Sequence, residues 1–139
     1  MILSLILIVI FFVIGAIHFY WAFGGKWGLD SVLPTNGKGE KVLRPKKKET
    51  VFVGVGLLTF ALFYVSLSGI LTIGIPQWIL KYGAWIIPFI FILRAIGEFK
   101  YVGFFKRIKH TEFAKMDKWF FTPLCLVIAL LGIIIQTMN

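Results

Sequence analysis

Long uninterrupted runs of apolar residues dominate this chain. Three runs contain no Asp, Glu, Lys or Arg: Met1 to Phe23, Val51 to Leu80 and Trp119 to Asn139. Each reaches the roughly 18 to 20 residues that a helix needs to cross about 30 Å of hydrocarbon. A fourth run, Tyr82 to Leu93, is shorter, but Lys81 and Arg94 beside it can extend toward the interface. The pattern predicts four membrane-spanning helices, at about 2–23, 51–75, 77–97 and 119–137.

Composition agrees with this prediction. The 139 residues are 59% hydrophobic and 15% charged, whereas a soluble domain is about a quarter charged. A soluble globular fold and a disordered chain are therefore both excluded. One cysteine excludes a disulfide framework, and two histidines without metal-ligand spacing lead us to expect neither a metal nor a cofactor. We expect an all-α integral membrane four-helix bundle that forms a single domain over residues 1–139.

The distribution of charge predicts orientation. The net charge is +9, and thirteen of the fifteen basic residues lie in two connecting segments, 24–50 and 98–118, while the short connection near residue 76 is almost uncharged. The first and third connections of a four-span chain lie on one side of the membrane. The positive-inside rule places them in the cytoplasm and both termini outside. Since orientation explains the basic excess, we do not expect nucleic-acid binding.

Small and polar residues recur along one face of three spans, as is typical of helix interfaces in membranes. They are Ser4, Gly15, His18 and Ala22, then Gly54, Ala61 and Ser68, then Cys125, Ala129 and Gly132. An antiparallel bundle with short outer connections follows.

Two segments near the prolines are less regular. Pro88 is expected to kink the third span. The last helix could begin at Thr122-Pro123, with threonine as N-cap, or Asp117 could cap a longer helix that bends at Pro123. The basic, phenylalanine-rich stretch from Phe99 to Phe113 could form a short amphipathic interfacial helix before the last span.

Arg94 and Glu98 are the main candidates for chemistry, because they are four residues apart and can face each other on one helix. Three roles remain open. They could form an internal ion pair that fixes packing, or Glu98 could orient an arginine that binds an anion or lipid headgroup. The third possible role is that Glu98 relays protons. Charged groups inside a span usually face the bundle interior or a water-filled cavity.

His18 shares a helical face with Gly15 and Ala22, so it is expected to face other helices. It could be a hydrogen-bonded packing residue, or a proton donor, acceptor or ligand contact, since its ordinary pKa lies near physiological pH. The topology places it near one level with Arg94, Glu98 and Asp117, in the cytoplasmic third. Cys125 reaches the same level and is interpreted as a packing residue.

Basic residues beside the spans are candidates for contact with anionic lipid headgroups. They are Lys46, Lys47, Lys48, Lys106 and Arg107. Membrane lipids are therefore the expected partners, and a homo-oligomer is compatible with the pattern.

Three motifs resemble those of a family of small bacterial membrane proteins of unknown function. They are His18 to Asp30 (HFYWAFGGKWGLD), Arg94 to Lys106 (RAIGEFKYVGFFK), and Thr111 to Asp117 (TEFAKMD) continuing to Thr122-Pro123-Leu124-Cys125. Glu98 stands where the family pattern favours aspartate. The resemblance implies a multi-pass protein of the bacterial plasma membrane and no particular activity. It also adds Tyr20 and Trp21 to the candidate residues.

The expected function is to bind or pass a small ligand, ion or lipid headgroup through a polar pocket on the cytoplasmic side. Arg94 would hold negative charge, with Glu98 orienting it. His18, Tyr20, Trp21 and Asp117 would complete the pocket. A non-catalytic assembly or regulatory subunit and an intramembrane lipid-modifying enzyme are the alternatives, so enzymatic activity stays undecided.

Overall fold

The computed structural model describes residues 1–36 and 38–139, and in these parts the chain is predominantly helical. Four helices are long and apolar enough to cross a membrane. The helices in chain order are α1 (Ile2–Ala22), α2 (Leu29–Val32), α3 (Lys47–Leu67), α4 (Gln77–Ile96), α5 (Glu112–Met116) and α6 (Thr122–Met138). A π-helical turn, Asp117–Phe121, joins α5 to α6. The predicted all-α four-helix architecture is confirmed.

The second long helix differs most from its predicted range of 51–75. It begins at Lys47, where the Glu49 carboxylate accepts a hydrogen bond of 3.0 Å from the backbone N–H of Lys46. It ends at Leu67 because Gly69 follows in a left-handed conformation, with a φ of 75°. The segment between α3 and α4 is consequently longer than the sequence predicts.

The bundle consists of two closely packed pairs, α1 with α3 and α4 with α6, whereas α3 and α4 contact each other little. Glycines allow the close approach in both pairs. In the first pair, a Cβ at Gly15 would lie 3.0 Å from the Leu58 side chain, and in the second, a Cβ at Gly132 would lie 2.5 Å from Pro88. The small residues predicted at the interfaces are therefore largely buried where helices meet.

One end of the bundle carries the described residues of segment 23–46 together with segment 97–111, and we call it the basic end. The core toward the opposite end is densely filled. Phe11 and Tyr64 stack with ring centroids 5.9 Å apart, and Leu7 and Ile128 pack in the same cluster. Both chain termini lie at that opposite end, where Met1 and Asn139 border a common surface pocket.

The last helix begins earlier than either predicted start. The Thr111 hydroxyl caps it by accepting a hydrogen bond of 3.1 Å from the backbone N–H of Ala114. The helix then passes Pro123, which has no N–H to donate, and the π-helical turn lies immediately before it. Asp117 is therefore inside a continuous helical segment and does not cap it.

Residues 97–111 form an irregular loop, so the structure corrects the amphipathic helix predicted over Phe99–Phe113. The Glu98 carboxylate accepts hydrogen bonds from the backbone N–H groups of Lys100, Tyr101 and Val102, which draws the chain into a tight turn. The backbones of Gly97 and Gly103, with φ of 81° and 88°, pack directly against each other where the loop closes. Helix resumes at Glu112.

Candidate functional site

The most completely buried charge in the described residues is Asp117, whose exposed fraction is 0%. Its Oδ1 accepts hydrogen bonds from Arg94 Nη2 at 3.0 Å and from Thr122 Oγ1 at 3.1 Å. Its Oδ2 accepts one from the Gly103 backbone N–H at 2.7 Å and lies 3.3 Å from Lys106 Nζ. A buried carboxylate is stable only with such compensation. We call these five residues the Asp117 cluster.

Arg94 pairs with Asp117 in this structure, so the expectation that Glu98 orients it is wrong. Helix α4 ends at Ile96, and Gly97 turns the chain away before Glu98. The four-residue spacing therefore never lies on one helix. Glu98 is exposed and binds the loop backbone instead.

Lys106 also differs from its expected role. Its side chain is only 5% exposed, and its ammonium group donates to the Gly103 carbonyl at 3.0 Å besides contacting Asp117. Little of the side chain is therefore left at the surface for contact with lipid headgroups. Arg107 and Lys46–Lys48 are exposed at the basic end, where headgroup contact stays a prediction for them.

A cavity of about 550 Å³ adjoins the cluster between the helices. Most of its walls are apolar and many are aromatic, including Phe60, Phe91 and Phe121. Four polar or polarisable side chains line it: His18, Trp21, Arg94 and Cys125. Its size is within the range of small-molecule sites.

The guanidinium of Arg94 is only partly satisfied. Nη2 binds Asp117, while Nη1 is buried and has no hydrogen-bond partner. A buried cationic N–H without an acceptor is costly. Arg94, which lines the cavity, therefore combines a fixed orientation with a buried donor that has no partner.

His18 and Trp21 both line the cavity, with ring centroids 5.2 Å apart in an edge-to-face arrangement. His18 Nδ1 lies 2.8 Å from the Ile14 carbonyl oxygen. Because a carbonyl only accepts, that nitrogen carries the proton and Nε2 remains as the nitrogen for another partner.

Tyr20 does not line this cavity. Its ring covers Gly25, and its hydroxyl accepts a hydrogen bond of 3.3 Å from the backbone N–H of Trp27. The structure thus brings His18, Trp21 and Arg94 to one cavity and places Asp117 behind Arg94. Tyr20 and Glu98 instead hold the two loops of the basic end.

No group of three or more His, Cys, Asp or Glu side chains suited to a metal ion occurs among residues 1–36 and 38–139.

A family model described as a protein of unknown function, DUF3995, matches residues 11–132. The chain belongs to the DUF3995 family. No curated protein and no solved structure matches it.

The match to DUF3995 includes every member of the Asp117 cluster and every residue named here at the cavity. Sequence reasoning missed Lys106, Gly103 and Thr122 as partners of Asp117. In the sequence, Lys106 is one of the thirteen basic residues that predict the orientation in the membrane, and nothing local distinguishes it from the others. The available signal was the pair of glycines that flank the turn at Glu98, which indicates a closed loop.

Proposed function

We propose that this DUF3995 protein is a membrane protein that binds a small anionic ligand in the cavity between its helices, on the cytoplasmic side. The observation that carries the proposal is the state of Arg94. Asp117 fixes one guanidinium nitrogen, the other is buried without a partner, and the arginine side chain lines an apolar cavity. An anion would satisfy it through a charge-assisted hydrogen bond.

The geometry supports binding better than passage across the membrane. Ile128 lines the cavity, and Phe11 and Tyr64 fill the core beyond it toward the opposite end. Each of these three side chains is almost fully buried. This packed core would stop a ligand that entered at the basic end from crossing to the opposite end.

The lipid-modifying enzyme receives less support. For general acid–base chemistry His18 offers its Nε2 alone, because its Nδ1 donates to a backbone carbonyl, which orients the ring but supplies no charge to stabilise a protonated imidazole. Both Asp117 oxygens already have two partners each.

The test uses Cys125, the single cysteine of the chain, as a reporter, because it lines the cavity. Purified protein in detergent is treated with a maleimide in the presence of inorganic phosphate, acetate or palmitate, and thermal unfolding is followed in parallel. We expect at least one anion to slow alkylation and raise the melting temperature. Binding to the native state alone has both effects.

Arg94→Gln should remove this protection, while Lys81→Gln, an exposed basic residue near the start of α4, should keep it. If no anion protects Cys125 in an Arg94-dependent way, the proposed function is wrong. An assembly subunit with structural charges would then be favoured.

A further inference from the structure

The mouth of the cavity is formed by exposed apolar side chains on two of the long helices. Phe52 and Val53 on α3 are 79% and 44% exposed, and Ile90 on α4 is 42% exposed, yet all three line the cavity. Because α3 and α4 contact each other little, this side of the bundle is open. Exposed apolar residues on membrane-spanning helices face hydrocarbon, so the mouth opens toward the lipid.

The charge at the inner edge of the cavity is unbalanced. Arg94 and Lys106 bring two positive charges to the Asp117 cluster, and Asp117 supplies one negative charge. Of the other carboxylates nearby along the chain, Glu98 is bound to its own loop and Glu112 is exposed at the start of α5. One positive charge is therefore uncompensated, and a singly charged anion would balance it.

Taken together, these features fit one class of ligand. We propose, building on the proposed function, that the cavity takes a single-chain amphiphile with a singly charged anionic head group, which enters sideways from the bilayer. Its chain occupies the apolar cavity between α3 and α4. Its head group accepts a hydrogen bond from Arg94 Nη1, the buried donor that has no partner.

Three probes separate the two parts of such a ligand. Palmitate has both the chain and the charge, hexadecanol has the chain alone, and acetate has the charge alone. Binding to delipidated protein in detergent is measured by native mass spectrometry and by protection of Cys125. We expect palmitate to bind one to one, hexadecanol to bind at least about tenfold more weakly, and acetate to give no detectable protection because it has no chain to bury.

A cavity-filling variant tests the location without disturbing the Asp117 cluster. Gly56 lines the cavity, and a Cβ there would meet no atom within 4 Å. Gly56→Leu should therefore fold normally and lower palmitate affinity at least about tenfold, since its side chain occupies the site. The matched control is Ala16→Leu, at an exposed position of α1 that does not line the cavity, and it should bind palmitate like the wild type.

The outcomes separate this inference from the proposed function. If acetate or phosphate protects Cys125 through Arg94 and palmitate does not, the cavity binds a small anion and the amphiphile is wrong. If hexadecanol binds as tightly as palmitate, or Gly56→Leu binds palmitate unchanged, the inference is also overturned. If no probe protects Cys125, both proposals fail.

Discussion

At the scale of single residues, Asp117 organises the basic end because it connects three separate parts of the chain. Its donors come from the end of α4, the loop at Gly103 and Lys106, and the first residue of α6. Each carboxylate oxygen has two partners, which is close to what an ionised carboxylate can accept in a buried site. The aspartate therefore both neutralises charge and fixes the loop to the helices.

Asp117→Asn should destabilise the protein by about 3 to 5 kcal/mol, because it leaves Arg94 and Lys106 without a buried counter-ion. The asparagine would also present an N–H₂ group to donors that need an acceptor. The measurement is thermal or denaturant unfolding in detergent micelles. The control is Asp30→Asn in the short helix α2, whose salt bridge to Lys41 lies at the surface and whose side chain is 91% exposed, and this variant should unfold like the wild type. Equal stability of the two variants would contradict the role assigned to Asp117.

Sequence alone identified the charged residues but not their partners. Arg94 and Glu98 were paired because a four-residue spacing indicates contact when both lie on one helix, and that condition fails at Gly97. Arg94 and Asp117 are 23 residues apart, and their contact depends on how α4 and α6 pack. No local pattern contains that information.

At the scale of elements, hydropathy predicted the four long helices well, because lipid requires each spanning segment to satisfy its own backbone. The prediction for residues 97–111 was wrong, because side-chain hydrogen bonds there replace the helical ones. The basic and aromatic residues of this loop suggest an interfacial helix, whereas the Glu98 side chain and two left-handed glycines bend the backbone into a closed turn. Side-chain hydrogen bonds of this kind compete with helix formation.

Gly97→Ala should open this loop, since the added Cβ would overlap the Val102 carbonyl and the φ of 81° disfavours alanine. The backbone hydrogen bond from Gly103 to Asp117 should then be lost. Hydrogen exchange of the amides in residues 97–111 measures this, and we expect it to accelerate about tenfold or more. Gly74→Ala is the matched control, because Gly74 has a φ of 71° but no atom near the added Cβ. The same acceleration of loop 97–111 in that variant would show that close approach is not the cause.

At the scale of the whole molecule, the two ends of the bundle differ both in charge and in what they contain. The basic connecting segments lie at the end that carries the Asp117 cluster, and both termini lie at the other end. Lys106 is buried and Arg94 is partly buried, and both pair with Asp117, whereas most other basic residues in the described part of the chain are exposed. The cavity therefore lies at the end that the positive-inside rule assigns to the cytoplasm.

The orientation itself stays a prediction, and reporter fusions would test it. Alkaline phosphatase fused after Asn139 should be active, because the enzyme needs an oxidising exterior, while the same fusion at Lys109 should be inactive. Green fluorescent protein at these two positions should give the opposite pattern. A phosphatase that is active at Lys109 and inactive at Asn139 would reverse the assigned sides and place the cavity outside.

The π-helical turn between α5 and α6 has a consequence for the family as a whole. Thr122 follows Asp117 by five residues, and on a regular α-helix two such side chains point about 140° apart. The wider turn rotates them onto one face, which allows the 3.1 Å contact between Thr122 Oγ1 and Asp117 Oδ1. Loss of a single residue between them would leave the two side chains four residues apart, about 40° from each other on a regular α-helix, so the same contact would then need no π-helical turn. We therefore expect the π-helical turn in relatives that keep the five-residue spacing, and a regular α-helix in relatives whose aspartate and threonine are four residues apart.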